Sequence, residues 1–403
     1  MRFKEYLNEQ LIQEKKITHL DHLEDLVFLQ GTSGAKKTID FVKTIYNDIK
    51  EHRDLYVQQK VDGAPSVIAG TNPENGKFFV STKSLFNKTP KINYTDADVD
   101  ANHGHAPGLA KKLKLGLKYF PRTIPKGQVL QGDFMFDADD LEDTTIDGIK
   151  GVGFHPNTIY FFVPKDTPLY KKIKTSKVGI IWHTVYTGNT IDSLSASFNI
   201  SDKHIKKDKD VYVRTPMIQI DQAGWTNSED AQMQKSIQGM ETAYAGLNKN
   251  YIDEINQDEK LKGIILVYMN DKVKNNKKMT KNEIKGLFDF IEGKYEGYIN
   301  KYKSDKGRAK KTLELEELKA SLTKNAGTLY KLFDWVYYVA DIKDVLVNKM
   351  NKLTFPESPY MKTDKGFEVT DPEGFVVSNG KDNVKFINRA IFSFNNFQNM
   401  KFN

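Results

Sequence analysis

The chain has 403 residues, 39% of them hydrophobic and 11% aromatic, enough to bury a substantial core and to form two domains. With no cysteine, disulfides, thiolate zinc sites and cysteine nucleophiles are excluded. Lys+Arg 60 against Asp+Glu 53 leaves +7, a balance suited to a polyanionic partner.

No apolar run approaches the ~18 residues of a membrane span. The start, MRFKEYLNEQLIQEKK, carries acidic residues and lacks the apolar stretch of a signal peptide. The expectation is a protein of the cytoplasm with no membrane partner. In chain order, residues 1–50 read as helices: Leu20, Leu23, Leu26 and Val27 recur at helical spacing, as do Ile39, Val42, Ile45 and Ile49. Between them, Gly31-Thr32-Ser33-Gly34-Ala35-Lys36-Lys37-Thr38 has the composition of a phosphate-binding loop. The spacing is wrong, because Ala35 stands where G-x-x-x-x-G-K-[ST] needs glycine, so the stretch reads as a helix-to-helix loop.

From residue 55 to 220 short strands alternate with Gly, Pro, Asn and Asp, at 55–59, 66–69, 77–81, 129–136, 158–163, 179–186 and 211–214, with a helix at 109–119. This texture predicts an antiparallel α+β body rather than an alternating parallel sheet. Residues 228–352 are helical and lysine-rich, with one short apolar strand expected at 263–268. Strands return at 367–369, 374–378 and 384–388. The simplest organisation is a helical segment at 1–50, an α+β core from 51–225 and 355–403, and a helical insertion at 226–354.

Lys60-Val61-Asp62-Gly63 follows a β-type run and opens a turn. A lysine there can carry a nucleotide on its side-chain nitrogen, provided the site keeps the amine unprotonated against its ordinary pKa of ~10.4. Gly63 would let backbone approach phosphates. Read alone, K-x-D-G also describes an exposed turn lysine.

With the motifs that follow, the chain resembles the covalent nucleotidyltransferase superfamily of ATP-dependent DNA and RNA ligases and capping enzymes. Lys60-Val61-Asp62-Gly63 is similar to the first motif, which implies Lys60 as the adenylylated lysine, with Asp62 beside it at the reactive end. Lys83, in Ser81-Thr82-Lys83-Ser84, stands where the family commonly has arginine. Leu130-Gln131-Gly132-Asp133-Phe134 resembles the third motif, with the shorter Asp133 in place of a ribose-binding glutamate. The apolar run 179–186 falls where an aromatic ring meets adenine, which implies Trp182 first and Phe162 second. Glu373-Gly374-Phe375-Val376-Val377 matches E-G-x-V-V and implies Glu373 as the metal-directed carboxylate. Val384-Lys385-Phe386-Ile387 resembles the fifth motif, with Lys385 on the α-phosphate; Ile387 replaces its second lysine, and Arg389 is the substitute. Gln58 and Gln59 are candidates for reading a purine edge. The head MRFKEYLNE and the layout also resemble proteins of large tailed phages, which would place the chain in a host cytoplasm.

The resemblance implies an antiparallel nucleotidyltransferase core of the ATP-grasp-like ligase type, with ATP and Mg²⁺ or Mn²⁺ as cofactors. Only 18 residues follow Lys385, too few for the C-terminal OB-fold of DNA ligases. The expected activity is therefore polynucleotide ligation through lysyl-AMP, joining 5′-phosphate and 3′-hydroxyl ends, RNA favoured over DNA. The alternatives are nucleotide transfer to another acceptor, as in capping, or a catalytically degenerate nucleic-acid-binding protein.

Other clusters read more plainly. Asp96, Asp98, Asp100, His103 and His105 fail as an EF-hand, since Ala101 and Pro107 occupy the required glycine and glutamate positions. Asp137, Asp139, Asp140, Glu142 and Asp143 read as a solvated loop, with a divalent ion as the alternative. Trp335, Tyr337 and Tyr338 read as a helix face. The segment 272–311, with 13 Lys/Arg and 5 Asp/Glu, is either a solvated surface or a polynucleotide clamp.

Overall fold

The computed structural model describes residues 20–53, 55–61, 63–218, 224–275, 277, 279–280, 283–352, 356–363, 366–370, 373–378 and 383–387. It begins with a 3-10 turn, Leu23–Asp25, and helix α1 (Leu26–Lys50). The fold is α+β with mainly antiparallel sheets, and the chain divides into two units. One is built mainly from 56–219 and 351–383, the other from 21–55, 220–350 and 384–403. No helix among the described residues is long and apolar enough to cross a membrane.

The first unit contains, in order, β1 (Tyr56–Lys60), β2 (Ser66–Thr71), β3 (Phe78–Ser81), α2 (Asp96–His103), α3 (Pro107–Tyr119) and β4 (Val129–Asp137). Then come β5 (Glu142–Ile146), β6 (Ile149–Phe154), β7 (Tyr160–Pro164), α4 (Pro168–Thr175), β8 (Val178–Thr187) and β9 (Ser195–Ser197). β10 (Val211–Arg214), β11 (Met217–Ile218), β12 (Ser358–Thr363), β13 (Gly366–Val369) and β14 (Gly374–Ser378) complete it.

The largest sheet runs β10-β8-β4-β2-β3, with β9 added on β8. Its pairs are antiparallel except β10 with β8, which are parallel. Strand alternation sends Val67, Ala69, Leu130, Phe134, Val178, Ile180 and Trp182 to one face, where they pack with Val99 of α2 and with Ala110 and Leu113 of α3. Thr95 and Asp98 start α2 with a reciprocal capping box, so Asp98 is spent on helix geometry. Backbone and Thr95 hydrogen bonds hold that carboxyl below its usual range.

A second sheet, β13-β12-β7-β6-β5, buries Ile146, Tyr160 and Phe162 against Tyr360 and Phe367. β5 and β6 were not expected; they form a two-residue hairpin through Asp147 (φ 50) and Gly148 (φ 79), the left-handed pair that an Asp-Gly turn favours. β12 was also missed. Separately, β1 lies between β11 and β14, antiparallel to both.

The second unit is mostly helical: α1, α5 (Asn227–Ala245), α6 (Lys249–Gln257), α7 (Glu259–Lys274), α8 (Glu283–Lys301), α9 (Asp305–Lys324) and α10 (Ala326–Asn351), with β15 (Asn383–Phe386). The strand expected at 263–268 is helix instead, the middle of α7. Its apolar run is too short to separate strand from helix by pattern, and burial of Leu261, Ile265, Tyr268 and Met269 on one face decides for helix. The glycine-rich 31–38 stretch is likewise not a loop between helices. α1 runs through it with a kink at Gly31 (φ 62), where the Thr32 N–H is held by Asp253 Oδ1 at 2.7 Å. Trp335 is fully buried in α10, as the helix-face reading expected.

Candidate active site

β1 ends at Lys60 and β14 begins at Gly374, and the antiparallel register places these two directly opposite each other. That register carries Glu373 to the end of β1, where its Oε2 forms an ion pair with Lys60 Nζ. Residues 313 positions apart in the chain thus meet. The Lys60 side chain is 32% exposed and that of Glu373 10%, so the amine stands at a surface opening while its partner is nearly enclosed.

The turn after Lys60 passes over β4. A Cβ at Gly63 would lie 2.7 Å from Asp133 Cβ and 3.1 Å from Met135 Sδ, so only glycine lets the backbone lie this close. The close approach expected for phosphates is made here to the Asp133 strand. Ala64–Pro65 is a cis peptide, and Pro65 O accepts from the Phe134 N–H at 3.0 Å.

Asp133 sits between two irregularities of the β4–β8 ladder. Gln131 pairs with Thr184 and Gly132 with Trp182, so His183 is the residue skipped; a second shift follows between Phe134 and Phe136. Such irregularities re-aim side chains next to sites. His183 Nε2 lies 3.7 Å from Asp133 Oδ2, with side chains 25% and 18% exposed. His183 Nδ1 bonds Thr184 Oγ1 at 2.8 Å. On the same face Gln131 donates to Ser66 Oγ at 3.1 Å and accepts from Tyr186 OH at 2.7 Å. Burial pushes the Tyr186 phenol above its ordinary range. This polar row, missed in the sequence, had one signal there: Gln131, Asp133, His183 and Thr184 interrupt otherwise apolar strands.

Several expected site residues lie elsewhere. Trp182 is fully buried on the helix-covered face, edge-on to Phe120 with ring centroids 5.1 Å apart, and is core rather than an adenine platform. Strand alternation explains this, since Val178, Ile180 and Trp182 must share one side. Phe162 belongs to β7 in the other sheet, buried among Tyr160, Ile146 and Tyr360. Gln58 and Gln59 are buried, and their amides serve the fold: Gln58 donates to Phe198 O, and Gln59 accepts from Arg214 at 3.1 Å. Lys83 is exposed at the start of a 3-10 turn capped by Thr82. Lys385, by contrast, lies on β15, the last strand in the order β11-β1-β14-β15, and its N–H bonds Asp21 O at 3.4 Å. Asp62 and Arg389 lie outside the described residues.

The acidic run is neutralised in place. Lys111 pairs with Asp137 and Asp139 at 2.8 Å, Lys112 with Asp140 at 3.3 Å and Lys174 with Asp143 at 2.9 Å. His103 is buried, and burial, then Lys91 and His105, hold its pKa below the ordinary value. No group of three or more His, Cys, Asp or Glu suited to a metal ion is found among the described residues. Glu373 offers hard oxygens of the kind Mg²⁺ takes, and its Oε2 is paired with Lys60.

Behind β1, Arg214 bonds Glu357 through Nε (3.1 Å) and Nη2 (2.7 Å), and Tyr212 OH donates to the same carboxylate. The Glu357 side chain is 0% exposed. Burial opposes the guanidinium charge, but Glu357 and Tyr212 outweigh it and hold its pKa above the ordinary value. Arg214→Met is expected to destabilise the protein by about 3–5 kcal/mol in a denaturant titration, because Glu357 is left charged and dry. Arg214→Met with Glu357→Leu should recover most of that loss; no recovery would show that the residues act separately.

A family model matches residues 17–401, nearly the whole chain. No curated protein and no solved structure matches it. The chain therefore belongs to the family so matched, described as a family of unknown function (DUF6267).

Proposed function

We propose that the protein is a covalent nucleotidyltransferase that takes AMP from ATP onto Lys60 and passes it to a polynucleotide 5′-phosphate, sealing RNA ends in preference to DNA. The observation that carries this reading is the meeting of Lys60 and Glu373 at the β1–β14 register, with the Gly63 turn seated on Asp133.

In the proposed sequence Lys60 Nζ passes a proton to its ion-pair partner Glu373 and, as the free amine, attacks the α-phosphorus. An N–P bond forms, the P–O bond to the β-phosphate breaks and pyrophosphate leaves. A 5′-phosphate oxygen then displaces the lysine, and a 3′-hydroxyl displaces AMP to close the strand. Glu373 holds the amine in place before attack. Mg²⁺ or Mn²⁺, when bound, would supply charge neutralisation for the triphosphate. The proposal rests on residues of the first unit alone.

The test is incubation of the full chain with α-labelled ATP or GTP and Mg²⁺, followed by a denaturing gel and by sealing assays on nicked and single-stranded RNA and DNA. Label on the protein with sealing supports the ligase. Label without sealing moves the acceptor elsewhere, and no label from either nucleotide overturns the reading in favour of a binding protein.

The basic segment supports a polynucleotide partner by charge only. Lys277 is exposed, whereas Lys272 is paired with Glu283 at 2.8 Å; Lys278 and Lys281 lie outside the described residues. Charge reversal at Lys277, Lys278 and Lys281 is expected to weaken RNA binding and flatten its log–log salt slope by up to ~3, while self-labelling persists. An unchanged slope would show that this segment is not the clamp.

A further inference from the structure

We propose that His183 is a sugar-specificity residue, which works with Asp133 to hold a single hydroxyl of the bound nucleotide; this rests on the lysine-nucleotide reading above. His183 is the residue that β8 leaves unpaired at the first irregularity. Its Nδ1 is engaged by Thr184 Oγ1 at 2.8 Å, which leaves Nε2 facing Asp133 Oδ2 at 3.7 Å. That gap is too long for a direct hydrogen bond and short enough for both atoms to reach one oxygen.

With the Thr184 hydroxyl donating to Nδ1, Nε2 carries the ring proton and donates, while the carboxylate only accepts. A hydroxyl satisfies both at once: its oxygen accepts from Nε2 and its proton goes to Asp133. An anion would meet the Asp133 charge, and an apolar group would leave both side chains without partners. Both are largely enclosed, 25% and 18% exposed, so a missing hydroxyl is not simply replaced by bulk water. Gly63, three residues after Lys60, lies against Asp133, so the hydroxyl held there belongs to a group joined to the phosphate that Lys60 meets. In a nucleotide that group is the ribose. The neighbouring Ser66–Gln131–Tyr186 row does not compete for it, since those side chains bond one another.

The experiment compares initial rates of self-labelling from α-labelled ATP, 2′-deoxy-ATP and 3′-deoxy-ATP in the full chain, for the wild type, His183→Ala and His183→Gln. The wild type is expected to disfavour one deoxy analogue by roughly 10- to 100-fold in kcat/KM. His183→Ala should shrink that preference to within about 3-fold, with the loss carried by KM for ATP rather than by kcat. His183→Gln, which keeps a side-chain donor, should restore part of it. Melting temperatures are measured alongside, and if the alanine variant is unfolded the glutamine variant decides, full discrimination or none overturning the proposal. Equal use of all three nucleotides by the wild type, or undiminished discrimination in His183→Ala, overturns the role of His183 and leaves Lys60 chemistry standing. No labelling of the wild type overturns both.

Discussion

Lys60→Ala is expected to abolish self-labelling with α-labelled ATP, a loss of at least about 10³-fold, because the variant lacks the proposed nucleophile. Lys60→Arg should be equally inactive, since a guanidinium keeps its proton at any working pH and cannot attack phosphorus. The fold should survive both changes: the Lys60 side chain is 32% exposed, and its loss removes one partner of the Glu373 carboxylate, at a cost of about 1–2 kcal/mol. Glu373→Gln keeps the shape but removes the charge, and is expected to slow labelling by about 10²- to 10³-fold. Labelling that persists in Lys60→Ala would move the nucleophile elsewhere and remove the reason for pairing these two residues.

Trp182→Ala is expected to destabilise the first unit's core rather than weaken nucleotide binding selectively. The indole is fully buried against Phe120, and its Nε1 finds no hydrogen-bond partner among the described residues. Truncating such a ring costs about 3–5 kcal/mol, a fall in melting temperature of roughly 6–20 °C. Trp182→Phe should keep most of the stability and the same affinity for ATP. A Trp182→Ala protein that melts normally but no longer binds nucleotide would return the ring to the site and overturn the assignment of faces on β8.

The two kinds of outcome separate because Lys60 and Glu373 stand at the β1–β14 pair, whereas Trp182 belongs to the core of the other sheet, on the face of β8 that turns away from Asp133. Val178, Ile180 and Trp182 face α2 and α3, while Gln131, Asp133 and Thr184 face the other way. Strand alternation alone says that Trp182 and its neighbours differ in direction, not which direction is inside. The irregularity at His183 adds a step that period-two reasoning has no means to anticipate.

Much of the strand pattern was legible in the residues. β10 occupies the stretch expected for it and β14 does the same, each a short apolar run flanked by Gly, Pro, Asn or Asp that punctuate it as a strand. The β5–β6 hairpin was overlooked although Asp147-Gly148 is a strong turn signal, since β5 opens with the polar run Glu142–Thr145 and β6 carries Lys150 and Gly151 straight after Ile149, a texture that resembles a loop. The 263–268 run was misassigned for the opposite reason. It is apolar enough for a strand, and only the neighbours of α7 select the helix.

Composition, charge and local spacing determined that this chain is α+β, cysteine-free and basic; the motif resemblance marked Lys60, Gly63, Asp133 and Glu373 as residues to watch. Tertiary structure alone decided which of them meet. Lys60 reaches Glu373 through a backbone register set across 313 positions, and the glycine turn reaches Asp133 through a close approach of two strands. Local sequence encodes how each segment bends and which residues alternate. Which strand lies beside which, and which face is covered, follows from the burial of whole surfaces, a sum over contacts that no single segment contains.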